Sequence, residues 1–149
     1  ELLSGLKKQA RVSKTRRARI CLHVHESDKV QEMVIAFCKN SFVSVHKHRN
    51  KSESYHVLEG SVLLCFFDNN GALTYTIKLS KYPDNCLYRV NKSVWHTIIP
   101  LSPMVVLHEV TSGPFKRSEK NIAPWSPQVG DYKRQRQFLA KLIRYEKKR

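Results

Sequence analysis

This 149-residue sequence predicts a single all-β domain, a sandwich or barrel of short strands followed by one C-terminal helix. Three observations support that expectation. The apolar runs are short and rich in β-branched and aromatic residues, the composition of strands. Turn signals separate them, notably Asp68-Asn69-Asn70-Gly71 and Tyr82-Pro83-Asp84-Asn85. The pattern stops near Val110, and a proline-rich stretch then leads to one amphipathic segment.

Residues 1–16 read as a basic lead-in that starts as a short helix. "ICLHVH" alternates and reads as a strand. Asp28 with Gln31 three residues on resembles a capping box and predicts one helical turn. "MVIAFC" has the content of a buried strand, and "SFVSVHKH", "SYHVLEG", "SVLLCFFD", "LTYTIKLS", "CLYRV", "HTIIP" and "MVVLHEV" follow as further strands. "DNNG" between two apolar runs predicts a hairpin. "TSGPFKRSEKNIAPWSPQVG" predicts an irregular strap pinned by Phe115 and Trp125. Residues 128–149 predict a basic helix with Phe138, Leu139, Leu142 and Ile143 on one face, which must pack on the barrel or on a partner chain. The barrel with its strap is expected to span 17–127.

The formal charge of +15 sits mostly at the two ends. Residues 1–20 hold seven Lys/Arg against Glu1, and residues 131–149 hold eight against Asp131 and Glu146. The 110 residues between hold twelve against nine acids. Basic ends bind polyanions without sequence preference or serve as solvated surface. No zinc-finger, RNP or helix-turn-helix pattern is present, so specific nucleic-acid recognition is not expected. No apolar run approaches the roughly 18 residues of a membrane span, and no signal-peptide pattern opens the chain. Cys21, Cys38, Cys65 and Cys86 form no CxxC pair and lie in or beside apolar runs, which suggests a reduced, cytoplasmic protein.

The stretch "HKHRNKSESYHVLEG" carries the chemistry. His46 and His48 are two apart on an expected strand, so both point to one face with Cα atoms about 6.6–7 Å apart. Four turn residues later, Glu53 opens the next strand, where a hairpin would bring its carboxylate beside the imidazoles. His96 in "VWHTIIP" is available as a fourth ligand from another strand. Three neutral nitrogens and one carboxylate suit a divalent iron, manganese, nickel, cobalt or zinc ion. An HxH pair alone does not decide this, since single strand histidines are usually surface or core residues. If the strand from Glu53 is regular, residues 53, 55 and 57 share a face and His56 points away. His23 and His25 form a second same-face pair without a carboxylate and distant histidine at comparable spacing, and read as structural.

His46-x-His48, four residues, Glu53, six residues and Gly60 resembles the first motif of the cupin superfamily, and "NCLYRVNKSVWH", ending at His96, resembles the second. Asn40, Asn85, Asn91 and Ser93 stand where the general pattern has glycines and a proline, and Pro100 stands in place of its asparagine. These departures touch turns and spare the four ligand positions. From Arg17 to Pro127 the segments "RARICLH", "DKVQEMVIA", "SESYHVLEGSV", "FFDNNG", "WHTIIPL", "HEVTSGPF" and "APWSP" resemble, in that order, the WbuC-type cupin-fold metalloproteins. The resemblance implies a double-stranded β-helix, or jelly-roll barrel, with a divalent transition metal held by His46, His48, Glu53 and His96. It also implies an association with genes for bacterial surface polysaccharides.

The expected function is a small metal-dependent enzyme acting on a sugar or sugar nucleotide, of isomerase or epimerase type. The alternatives are an iron-dependent dioxygenase and a non-catalytic metal- or ligand-binding module. Arg49, Lys51 or Arg89 would supply a basic entrance for an anionic substrate. Glu109 and Tyr88 are acid/base candidates by strand position only. Small barrels with an exposed edge strand pair readily, so a homodimer is expected.

Overall fold

The computed structural model describes residues 1–116 and 120–147, without the side chain of Lys120. In chain order the elements are α1 (Leu2–Val12), β1 (Arg17–Cys21), β2 (Val30–Cys38), β3 (His46–His48), β4 (Glu53–Glu59) and β5 (Ser61–Phe67). They continue with β6 (Leu73–Ser80), β7 (Leu87–Val90), β8 (Trp95–Pro100), β9 (Met104–Ser112), β10 (Lys120–Ile122) and α2 (Tyr132–Glu146). The strands form two antiparallel five-stranded sheets, one ordered β1-β2-β9-β4-β7 and the other β10-β3-β8-β5-β6. The all-β expectation therefore holds, with a helix at the C-terminal end as well.

Alternation along the strands decides what lies between the sheets. Met33, Ile35, Phe37, Val57 and Leu107 of the first sheet meet Val62, Leu64, Phe66 and Ile98 of the second in one buried cluster. The intervening residues of β5 face outward, yet Leu63, Cys65 and Phe67 are buried too, because Leu139 and Leu142 of α2 pack on them. The apolar face read in the C-terminal segment thus docks on the second sheet, with Phe138 and Ile143 partly buried at its margins. Fully burying a leucine of this kind contributes about 1.5–3 kcal/mol. Asp131 caps α2 by accepting from the Arg134 N–H at 3.0 Å. On the opposite side, Leu6 and Ala10 of α1 cover Val34, Ala36 and Val106 on the outer face of the first sheet.

Several local expectations are corrected. The strand expected over "ICLHVH" ends at Cys21. Beyond it the Asp28 carboxylate accepts from the Val24 and His25 N–H groups at 2.9 and 3.0 Å, and fixes a loop. No helical turn starts at Asp28, because the Gln31 amide donates instead to the carbonyls of His25, Glu26 and Asp28. Before His46 the chain is extended without a ladder. The Ser126 hydroxyl there accepts from the Val45 N–H at 3.0 Å, and the Thr97 hydroxyl donates to the Val43 carbonyl at 2.6 Å. The strap is not wholly irregular, since β10 pairs with β3. Trp125 pins it, stacking near Phe67 and Trp95 at 5.1 and 6.3 Å between ring centroids, whereas Phe115 is half exposed. Asp68 tightens the expected hairpin by accepting from the Asn70 and Ala72 N–H groups, both at 2.9 Å.

Asn40 and Ser93, two residues that replace turn residues of the general cupin pattern, have φ of 70° and 62°. The left-handed turns are therefore built without glycine at those points. Gly60 does need to be glycine: at φ 79°, an added Cβ would lie 2.5 Å from the Met104 carbonyl oxygen.

Candidate metal centre

The second sheet presents three imidazoles to a carboxylate of the first. His46 and His96 are direct cross-strand partners between β3 and β8. His48 lies two residues along β3, on the same face. Glu53 opens β4, and strand alternation also turns Tyr55 and Val57 inward while His56 faces away. All four candidate ligands are buried, with exposures between 2% and 8%.

Glu53 is the hub. Its Oε1 lies 2.9 Å from His48 Nε2. Its Oε2 lies 3.1 Å from His96 Nε2 and 3.9 Å from His46 Nε2, and accepts a hydrogen bond from the Tyr55 hydroxyl at 2.8 Å. Ligand atoms of His46, Glu53 and His96 all fall within 4.8 Å of one another, the spread a single ion can bridge. His48 stands outside that tightest group. Its Nε2 is near Glu53 Oε1 in distance but off the hydrogen-bond direction, so both its ring nitrogens are buried without a hydrogen-bond partner. An ion at the centre would satisfy the orphaned Nε2.

The tautomers point the same way. Nδ1 of His46 donates to the Ser44 carbonyl and Nδ1 of His96 to the Val94 carbonyl, both at 2.9 Å. Each acceptor is a carbonyl, so Nδ1 carries the proton and Nε2 of the neutral ring offers a lone pair to the centre. At His96 that lone pair would face a carboxylate oxygen, which is favourable only with a proton or a metal cation between them. Three imidazoliums against one carboxylate leave two buried positive charges unpaired. A divalent ion among neutral imidazoles and the same carboxylate leaves one. Burial penalises the larger excess more heavily, so the donor set fits a divalent metal.

Burial pushes the Glu53 carboxyl up, but contacts with His48 and His96 and the charge of His46 outweigh it and hold the group well below the usual carboxylate range. Tyr55 moves the other way. Burial, reinforced by the charges of Glu53 and Glu109, pushes its phenol well above the ordinary value, so it stays a neutral donor to the carboxylate. Tyr55 is the site residue that sequence reasoning missed. The alternation that turned Glu53 and Val57 inward also placed position 55 on that face, but tyrosine reads as core there.

A cavity of about 400 Å³ reaches the centre past His46 and Glu53, with Arg17 and Arg19 of β1 and Glu109 of β9 in its wall. A second lobe of about 310 Å³ shares Arg19, Met33, Glu53 and Glu109 with it, and adds His48 and Lys51. The expected basic entrance is partly corrected. Arg49 is exposed away from both lobes, and Arg89 is tied to the Ser52 hydroxyl at 2.7 Å. The mouth instead takes its arginines from β1, whose register pairs Arg17 with Phe37 and Arg19 with Ile35, residues of the inner face. Arg17 is exposed by area because it faces the cavity, yet burial and the charge of Arg19 lower its pKa against the opposing pull of Glu109.

Of the acid/base candidates, Glu109 lines both lobes, and Tyr88 lies outside them, packed 5.7 Å from the Phe66 ring. His23 borders the second lobe, but its Nδ1 accepts from the Glu32 N–H at 3.1 Å. His25 lies in the loop before β2.

Solved structures share this fold. A cupin superfamily protein from Desulfitobacterium hafniense DCB-2 superposes with a TM-score of 0.52 and 20% identity, over 64% of this chain and 76% of that one. KdgF from Halomonas sp. gives 0.53 and 15%, over 72% and 86%. A mutant of Bacillus subtilis oxalate decarboxylase OxdC gives 0.56 and 14%, over 71% of this chain but only 27% of the larger enzyme. No curated protein matches the sequence. A domain of unknown function, DUF6016, matches residues 1–79, a span that includes His46, His48 and Glu53 and stops before His96. That match covers more than half of the 149 residues, and the chain belongs to the DUF6016 family, built on a cupin fold.

Proposed function

We propose that the chain is a metal-dependent protein acting on a small sugar- or sugar-nucleotide-type molecule, with His46, His48, Glu53 and His96 as the ligands of a divalent transition metal. One observation carries the metal reading: three buried imidazoles and one buried carboxylate converge, and His48 Nε2 lies among them without a hydrogen-bond partner. An ion held there supplies Lewis-acid polarisation of a bound carbonyl or hydroxyl. The chain's own residues do the rest. The Ser44 and Val94 carbonyls orient His46 and His96, Tyr55 fixes the carboxylate, and the apolar wall of Met33 and Ile35 limits water. The choice of substrate class rests on the resemblance to WbuC-type cupins, and enzymes on small acids, such as oxalate decarboxylase, share the fold. We further propose a homodimer formed through an exposed sheet edge.

Elemental analysis of the purified chain, with identification of any retained small molecule, tests this reading. Zinc or manganese together with a sugar phosphate supports it. Iron with oxygen consumption would replace it with a dioxygenase. His48→Ala should lose most of the metal and His56→Ala little. The ligand set is wrong if His56→Ala strips the ion while Glu53→Gln keeps it.

A further inference from the structure

Lys51 sits in the turn between β3 and β4, two residues before Glu53, and is only 7% exposed. Lysine is rarely buried to this degree without a counter-charge, because the ammonium gives up its hydration and receives nothing in return. Among the described residues no carboxylate lies within ion-pair distance of it, and no hydrogen bond engages it. Its recorded neighbour is the Phe115 ring, 5.7 Å from Nζ, an aromatic face that tolerates a cation without neutralising it. The turn is held on both sides. His48 O accepts from the Ser93 N–H at 2.7 Å, and Ser52 O accepts from the Thr111 hydroxyl at 2.8 Å. These bonds fix the backbone of the turn that carries Lys51.

Lys51 lines the second lobe, together with His48 and Glu53 of the proposed metal centre and Arg19 of the mouth. Glu26, Glu53 and Glu109 also border that lobe, but no ion pair joins any of them to the lysine among the described residues, and Glu53 is engaged by Tyr55 and His96. A lysine side chain all but 7% covered, with no carboxylate partner among the described residues and lining a cavity beside the candidate metal centre, is a half-built anion site.

We propose that Lys51 binds an anionic oxygen group, a carboxylate or a phosphate, of the small molecule that enters this cavity. The inference deepens the metal-protein reading by naming the charge of its ligand, and rests on that reading only in taking the cavity as the ligand site. The ammonium supplies a point charge on the wall of the lobe that His48 and Glu53 also line, so the ligand is a molecule whose acid group meets Lys51 while the rest of it faces the metal centre.

The test measures binding of inorganic phosphate and of propionate to the full chain, with uncharged propionamide as control, for wild type, Lys51→Met and Lys51→Arg. Each protein is measured metal-loaded and after removal of metal by a chelator. Wild type binds at least one anion and not propionamide, Lys51→Met weakens that binding about tenfold or more (~1.4 kcal/mol), and Lys51→Arg restores part of it. The loss persists in the metal-free chain, and metal content is unchanged by either substitution. Without ligand, Lys51→Met keeps a cooperative melting transition, so the lost binding is not a lost fold. Equal anion affinity in wild type and Lys51→Met, or no saturable binding to wild type, would each overturn the proposal. Lysine-dependent anion binding in a chain that takes up no metal would leave this inference standing and sink the metal reading instead.

Discussion

Two histidine–glutamate groups sit back to back on the first sheet. On its inner face, Glu53 meets His46, His48 and His96 at exposures of 8% or less. On its outer face, Glu32 Oε1 lies 2.7 Å from His108 Nε2, with His56 opposite His108 in the register, and the paired side chains are 40% and 27% exposed. The outer contact is as short as any in the inner group. Distance therefore does not separate a site from an ordinary surface pair. What separates them is convergence without water. Outside, solvent satisfies whatever the pair leaves unsatisfied; inside, a nitrogen with no partner stays unsatisfied until something binds.

The largest effect that would break this contrast is on metal. Glu53→Gln should lower metal affinity by more than the ~10–100-fold typical of outer-shell partners, while Glu32→Gln leaves it unchanged; equal losses in a competition titration would erase the distinction between the faces. The same residue sets an acid-side signature in the chelator-stripped chain. Its folded pKa lies below the unfolded value, so the stabilisation is full above the ordinary glutamate pKa of about 4.3 and disappears as pH falls through the lower folded value. Urea midpoints taken from about pH 5 down to about pH 3 should fall more steeply for wild type than for Glu53→Gln.

Tyr55→Phe comes next. Removing the hydroxyl that holds Glu53 Oε2 should cost about tenfold in metal affinity with the fold retained; unaltered affinity would reduce Tyr55 to a core residue. The smallest effect belongs to the outer pair. His108→Ala should change unfolding free energy by less than about 1 kcal/mol, as exposed ion pairs do. A larger loss in a denaturation series would show the outer face to be more than a solvated pair.

How far these groups were legible in the sequence follows from periodicity. A period of two placed His46 with His48 and Glu53 with Val57, and excluded His56, before any fold was known. It had no purchase on residues 49–52, a turn without periodicity, so Lys51 could not be told from Arg49. The face each one takes is set by where the chain crosses between sheets. Arg17 and Arg19 were missed as mouth residues because the alternation read as a strand begins at Ile20, and only the pairing with β2 shows that the strand starts at Arg17 and which side faces in. The strand β10 was missed because its partner, β3, is distant in sequence, whereas the loop after Cys21 is closed locally by the Asp28 carboxylate, at residues that read as a helix cap.

The strand order carries a consequence for how such a chain comes off a ribosome. β8 and β9 are among the last strands made, yet β8 lies between β3 and β5, and β9 lies between β2 and β4. A nascent chain stopped at residue 79, where the family match ends, would hold His46, His48 and Glu53 but neither of the strands that join its early segments into sheets. Synthesis thus delivers the β1–β2 and β5–β6 pairs first and the seams last, so these pieces stay unjoined until residue 112 has been added.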